Sequence, residues 1–319
     1  REHETRQIEI MSEEKRELNY GGQAVMEGVM MRGSKAMSVA VRQPDGEIVI
    51  HTEPLSAHIY TGKISKIPFL RALTSLWDVL VLGIRTLMFS ANVALADEED
   101  VEFSGPVAWG TVIVSFAIAI GIFFVGPLLL VGVIDRYIES AFLSNVVEGV
   151  LRLALFVAYI WAIGRVPDIA RVFSYHGAEH KTINAYESGA ELTPEQVSKY
   201  STAHYRCGTA FLLSVMVISI LVFALLGRPP MGLRILSRIV LIPLVAGVAY
   251  EYIRFTNRYR DNPIIRAVAK PNLALQSLTT REPDASMLEV AIAALKRVLE
   301  TEQGLAPSDT ASASGKVAD

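Results

Sequence analysis

The chain has 319 residues, 51% of them hydrophobic and 20% charged, with a net charge of −3 at pH 7 and a mean hydropathy of +0.35. This balance argues against a pair of ordinary soluble domains, and the missing basic excess argues against a nucleic-acid partner. The single cysteine, Cys207, excludes an intrachain disulfide, so a reducing compartment is allowed.

Residues 1–17 are a charged lead, expected to be flexible, with neither the apolar core nor the cleavage site of a signal peptide. Residues 18–62 follow as a cytoplasmic unit. Its first part, NYGGQAVMEGVMMRG from Asn19 to Gly33, is too rich in glycine for a stable helix. Its second part, MSVAVRQPDGEIVIHTEPL, alternates apolar and polar residues on either side of Pro44, Asp45 and Gly46, which predicts a β-hairpin. Within residues 63–103, Ile64 to Leu95 reads as helix, with Arg71, Asp78 and Arg85 spaced seven apart on one side. An interfacial or re-entrant helix is expected, with a fifth crossing as the alternative. The acidic run from Asp97 to Asp100 reads as a solvated linker.

Four stretches approach the roughly 20 apolar residues that a helix needs to cross hydrocarbon, where a bare backbone has no water to bond. They run from Val107 to Ile134 and Val146 to Gly164, within residues 104–165, and from Thr209 to Gly227 and Ile235 to Ile253, within residues 209–254. Glu148 and Arg152 in the second and Arg238 in the fourth are expected to snorkel to the interface. Arg165, Arg171, Lys181, Lys199 and Arg206 lie between the second and third stretches, and a further group follows the fourth. The other two loops hold only Arg136 and the pair Arg228 and Arg234. By the positive-inside rule both termini and the loop 166–208 are cytoplasmic, the membrane being the cell (plasma or inner) membrane. The cytoplasmic segment 255–301 ends in an amphipathic helix, with Ser286 and Glu289 as its capping box, and residues 302–319 have a disordered composition. The expected fold is therefore mainly α and polytopic, with about four transmembrane helices, an interfacial helix and a small N-terminal β element.

The chemistry concentrates in the central loop, where His176, Glu179 and His180 stand in the order H-x-x-E-H. On a helix running to about Ser188, the histidines at i and i+4 share a face, with the glutamate beside them. This is the order of the inverted zinc-peptidase motif, in which two imidazoles hold Zn²⁺ and the glutamate is the general base. A catalytic zinc needs a third ligand; His204, Cys207 and Glu251 are the candidates, all brought to the cytoplasmic face by the expected topology. The alternative is that the histidines cap or bond within a docked loop and the cysteine is inert. Glu251 would pair locally with Arg254 or Arg258 if it has no role at the site. Glu27 either reaches the site or holds a turn. Nucleotide binding is not expected, because the glycine-rich segment lacks both phosphate-loop spacings.

At these residues the sequence resembles the YqhQ-like family of bacterial integral membrane proteins, the domain of unknown function 1385, described as a predicted metal-dependent enzyme. The matching stretches are GGQAVMEGVMMRG at Gly21 to Gly33, YHGAEHKTINAYE at Tyr175 to Glu187, HYRCGTAF at His204 to Phe211, YEYIR at Tyr250 to Arg254 and LQSLTTREP at Leu275 to Pro283. The sequence departs from the family pattern at Tyr205, where proline is expected, and at Ala210, where serine is expected; neither removes a candidate ligand. The resemblance implies a site at His176, Glu179, His180, His204 and Cys207, with Glu27 and Glu251 behind them and Arg206 and Arg254 as further members. The expectation is a metal-dependent membrane hydrolase using zinc or another divalent metal, with Glu179 as general base. Its partners are the lipid bilayer and a membrane protein as substrate or partner. The rival is a non-catalytic scaffold that docks a partner in membrane-protein biogenesis or quality control. A transporter fits less well, because the spans hold few ionisable groups and no inverted repeat.

Overall fold

A computed structural model describes residues 20–55, 67, 78–96, 105–134, 137–227 and 229–305. The charged lead, the acidic run, the tail beyond residue 305 and most of the stretch from Ile64 to Trp77 lie outside the described residues.

The chain begins with four antiparallel strands in sequential order, β1 (Gly21–Val25), β2 (Gly28–Arg32), β3 (Ala36–Arg42) and β4 (Ile48–Pro54). The predicted hairpin is β3 with β4, paired from Ala36↔Pro54 to Arg42↔Ile48, and Asp45 Oδ1 accepts the Glu47 N–H at 2.9 Å in its turn. The glycine-rich segment forms a second hairpin before it. There Met26 and Glu27 make a two-residue turn, and Glu27 takes a left-handed φ of 48°. The sheet is buried on both faces, so β2 and β3 read as nearly continuous apolar runs. After a π-helical turn at Asp78–Leu82, α1 (Gly83–Ala94) packs Phe89 against Val25, Met37, Val39 and Val41 on one face.

Next come the apolar helices. α2 (Gly105–Ile120) and α3 (Gly126–Ile134) are joined by a π-helical turn at Gly121–Val125, and α4 (Ala141–Ile163) is capped by Ser140. They are followed by α5 (Pro167–Glu187), the short α6 (Pro194–Val197), α7 (Gly208–Ala224) and α8 (Met231–Arg258). α9 (Pro263–Thr279) and α10 (Ala285–Gln303) complete the described order. All four stretches read as apolar spans are helical. Three helical runs, Trp109–Ile134, Ala141–Ile163 and Gly232–Arg258, are long and apolar enough to cross a membrane, while Gly208–Ala224 is shorter. Side chains such as Ile113, Leu129, Trp161, Leu221 and Val240 are exposed on them. A surface that would be unfavourable in water suits hydrocarbon, which is consistent with a membrane protein.

α10 starts two residues earlier than a cap at Ser286 requires. Its N-cap is Asp284, whose carboxylate accepts the Met287 N–H at 2.9 Å, and Ser286 donates to that same carboxylate at 2.6 Å. Glu289 does not reach back to an N-cap; it pairs with Arg42 of β3 at 3.0 Å. The carboxylate of Asp284 is a stronger acceptor than a hydroxyl and wins the first turn. α10 buries Met287, Leu288, Ala291, Leu295 and Val298 against β2, β3 and Tyr175 and Ala178 of α5. The sheet, α10 and α5 thus share one core, which makes α5 a rigid platform.

The charges expected to snorkel do not. Glu148 of α4 is buried and accepts from Arg152 at 2.8 Å, from Arg234 of α8 at 2.5 Å and from Arg238 at 2.8 Å. Arg152 also donates to the Phe123 carbonyl at 2.9 Å, and the Arg238 guanidinium lies over the Phe223 ring. Mutual pairing replaces water at these groups.

Candidate metal centre

The site is built on α5. Pro167 at its first turn and Asp168 near its positive end start the helix, and Gly189, with a φ of 72°, follows its end. His176 and His180 fall on one face, their ring centroids 4.3 Å apart. Cys207 is the N-cap of α7, whose backbone turns there from extended to helical, and its Sγ lies 3.3 Å from His176 Nε2. One ligand atom from each of His176, His180 and Cys207 fits within 4.8 Å of the others. Glu179 Oε2 faces the same point, 3.8 Å from His176 Nε2 and 3.9 Å from His180 Nε2.

The outer nitrogens fix the tautomers. His176 Nδ1 lies 2.9 Å from the Thr279 carbonyl, and His180 Nδ1 lies 2.5 Å from the Thr202 carbonyl. A carbonyl only accepts, so each Nδ1 carries a hydrogen and each Nε2 is the nitrogen that faces the interior of the site. Metal-ligating histidines are held in this way. The Thr279 carbonyl can approach because residue 177 is glycine: a Cβ there would run into the Arg281 carbonyl, and Arg281 donates its N–H to the Phe173 carbonyl at 2.9 Å. Gly177 therefore serves the site from the middle of its motif.

The donor set fits a divalent metal. Tetrahedral Zn²⁺ with bonds of about 2.0–2.3 Å sets its ligand atoms roughly 3.3–3.6 Å apart, and the thiol and imidazole already stand at that separation. Two imidazoles and a thiolate are zinc donors, and the Glu179 carboxylate stands just outside them. The electrostatics favour positive charge at the centre. Burial opposes ionisation of Cys207, but His176 and His180 hold its thiol well below the usual range. Burial likewise opposes protonation of His176, yet the thiol and Glu179 raise it to about 9.

The other predicted residues lie around this cluster. The His204 ring is 5.5 Å from that of His180, but its Nε2 faces Glu187 at 3.9 Å, and its backbone exchanges hydrogen bonds with Gln276 at 2.7 and 2.8 Å. Burial keeps His204 below its ordinary pKa, and Glu187, though burial raises it, is held low by His204 and Arg206. Arg206 pairs with Glu187 and donates to the Tyr20 carbonyl at 3.2 Å. Glu27 holds its turn against α5, accepting from Arg171 at 2.6 and 2.5 Å and from Tyr175 at 3.3 Å. Glu251 and Arg254 are on α8, Arg254 exposed, and neither belongs to the group whose ligand atoms converge. Sequence reasoning missed Thr202, Thr279, Glu187, Arg171 and Gly22. The carbonyls have no side-chain signature; Gly22, by contrast, stood in the open within a glycine-rich motif.

A family model described as "Protein of unknown function (DUF1385)" matches residues 67–301. The chain is 34% identical over 304 residues to the uncharacterized protein YqhQ of Bacillus subtilis (strain 168), an alignment that takes in 92% of this chain and 96% of that relative. No solved structure matches.

Proposed function

The chain belongs to the DUF1385 family, and from the geometry of its His and Cys cluster we propose that it is a metal-dependent membrane hydrolase, with zinc or another divalent metal held by His176, His180 and Cys207. The observation that carries this reading is the orientation of the two imidazoles: both Nδ1–H groups are tied to carbonyls, and both Nε2 atoms are turned toward the thiol and Glu179. A metal held there supplies Lewis acidity to the scissile group. Glu179 Oε2 takes a proton from the attacking water and returns it to the leaving group. Against its burial, His176 and His180 lower the Cys207 thiol below its usual range, which favours the thiolate that a metal ligand needs. Metal analysis of detergent-purified protein, prepared without chelator, tests the reading, with about one metal per chain as the expected result. Glu179→Gln should keep that metal and lose hydrolysis by about 10²–10⁴-fold. A metal-free preparation would leave the docking scaffold as the function.

The same reading places the site at the cytoplasmic face of a bilayer crossed four times, by α2 with α3, by α4, by α7 and by α8. The Lys and Arg distribution supports this. The apolar composition of α7 suits a crossing as well, its 17 residues and about 25 Å being short for a core of roughly 30 Å. Ser188→Cys should resist a membrane-impermeant thiol reagent applied to intact cells and react after permeabilisation. Labelling without permeabilisation would reverse the orientation.

A further inference from the structure

We infer that α4 carries a phospholipid-binding site, in which an acyl chain lies along an apolar groove of the helix and an anionic headgroup rests on Arg165 and Arg281. The site rests on the membrane reading of α4 and is independent of the hydrolytic one. The groove, of about 590 Å³, is walled by Val150, Ala154, Val157, Ala158 and Trp161 of α4 and by Leu278 of α9, and all of its lining residues are apolar or aromatic. Val150, Ala154, Val157 and Trp161 recur at helical spacing, so they form one stripe about 16 Å long at 1.5 Å per residue. α4 is long and apolar enough to cross a membrane, so hydrocarbon is what this stripe meets.

Arg165 stands four residues beyond Trp161 and continues the stripe past the helix end. Its guanidinium lies 3.2 Å from the Trp161 ring centroid, and its Nη1 donates to the Trp161 carbonyl at 2.8 Å. Arg281, from the segment after α9, reaches the same end of α4 and donates to the Gly164 carbonyl. Both arginines are exposed, and among the described residues neither makes an ion pair, not even with Asp168 in the first turn of α5. The positive end of α5 begins beside them at Pro167, with no side-chain cap. Two guanidiniums and a helix N-terminus gathered at one helix end, with no carboxylate pairing the arginines, attract an anion. A guanidinium meets phosphate oxygens with parallel N–H donors. At the end of an apolar stripe the matching ligand joins that phosphate to hydrocarbon, as a phospholipid does. A zwitterionic lipid brings its own cation beside the phosphate, so the arginines favour an anionic one.

Trp161 reports on the groove directly. Trp77→Phe with Trp109→Phe leaves it as the single tryptophan, and bromine on an acyl chain quenches an indole on contact. The full chain is reconstituted in phosphatidylcholine vesicles that contain an equal minor share of brominated phosphatidylglycerol or of brominated phosphatidylcholine. The anionic lipid is expected to quench more. Arg165→Gln and Arg281→Gln should each lower that preference about fivefold, the worth of one basic side chain at an anionic headgroup. Lysine at both positions should restore most of it, which separates loss of charge from misfolding. Ala158→Phe fills the groove, leaves both guanidiniums in place and should lower the preference as well. Equal quenching by the two lipids would overturn the site. So would a preference that survives the filled groove, since charge alone would then hold the headgroup, or one abolished by excess glycerol phosphate, which would mark a site for soluble anions. Quenching by neither lipid would sink the membrane reading of α4 together with the site. A preference found in protein that hydrolyses nothing would leave the lipid site standing without the enzyme.

Discussion

Two buried polar clusters sit at opposite ends of α7, and they are built on opposite principles. Cys207 begins the helix, and Phe223, under the Arg238 guanidinium, stands 16 residues on, or about 24 Å along the axis. At the far end, three guanidiniums converge on the Glu148 carboxylate, donors meeting an acceptor. At the near end, two imidazole Nε2 atoms, a thiol and a carboxylate converge, while each Nδ1–H is turned outward to a carbonyl. The first cluster pairs its charges among its own members and serves to fasten α4 to α8. The second brings together the atom types that hold a divalent metal, which is why the metal reading attaches to it and not to the first, although the first holds more charge.

The largest effect that would break this contrast is at the second cluster. His180→Ala removes one of two imidazoles and should abolish stoichiometric metal, read by elemental analysis, while Arg238→Gln at the other end should leave it intact. Metal retained by His180→Ala would mean that the cluster is not the ligand set.

Next in size is the far cluster. Glu148→Ala leaves buried guanidiniums without their shared carboxylate, and breaking a buried pair in this way costs about 3–5 kcal/mol. The thermal midpoint in detergent should fall well below that of the wild type, with metal content per folded chain unchanged. An unchanged midpoint would show that the arginines find water or other partners and that the cluster does not fasten the bundle.

The two clusters were unequally legible in the sequence. His176, Glu179 and His180 announce themselves because helical spacing turns local order into geometry, and Cys207 stood out as the single cysteine. The pairing of Glu148 with Arg234 and Arg238 depends on α4 meeting α8 across some ninety residues, which no local pattern records. The four apolar stretches and the β3–β4 hairpin were readable from composition and period. The β1–β2 hairpin was not, because glycine lowers strand and helix propensity alike and only the packing of α5 and α10 over the sheet decides it. Asp284 was overlooked as a cap because Ser286 and Glu289 have the spacing of a capping box while the helix begins earlier.

The smallest effect is also the most specific. Gly22→Ala adds one carbon where Glu179 Cγ and Cδ would lie 2.9 and 3.1 Å away and the Met30 carbonyl 2.5 Å away, all inside ordinary contact. The carboxylate can give way, but the Met30 carbonyl belongs to the paired strand, so β1 must also shift against β2. His176, His180 and Cys207 do not touch Gly22, and the bound metal should stay. A base displaced by about an ångström costs up to roughly a hundredfold in rate, so kcat should fall between tenfold and a hundredfold with metal content held, and the thermal midpoint should fall with the disturbed strand pairing. Gly21→Ala, whose Cβ meets open space one residue away, is the control and should behave as wild type. If Gly22→Ala lost metal and activity together, the strand would be supporting the ligands themselves, and Glu179 would belong among them rather than beside them.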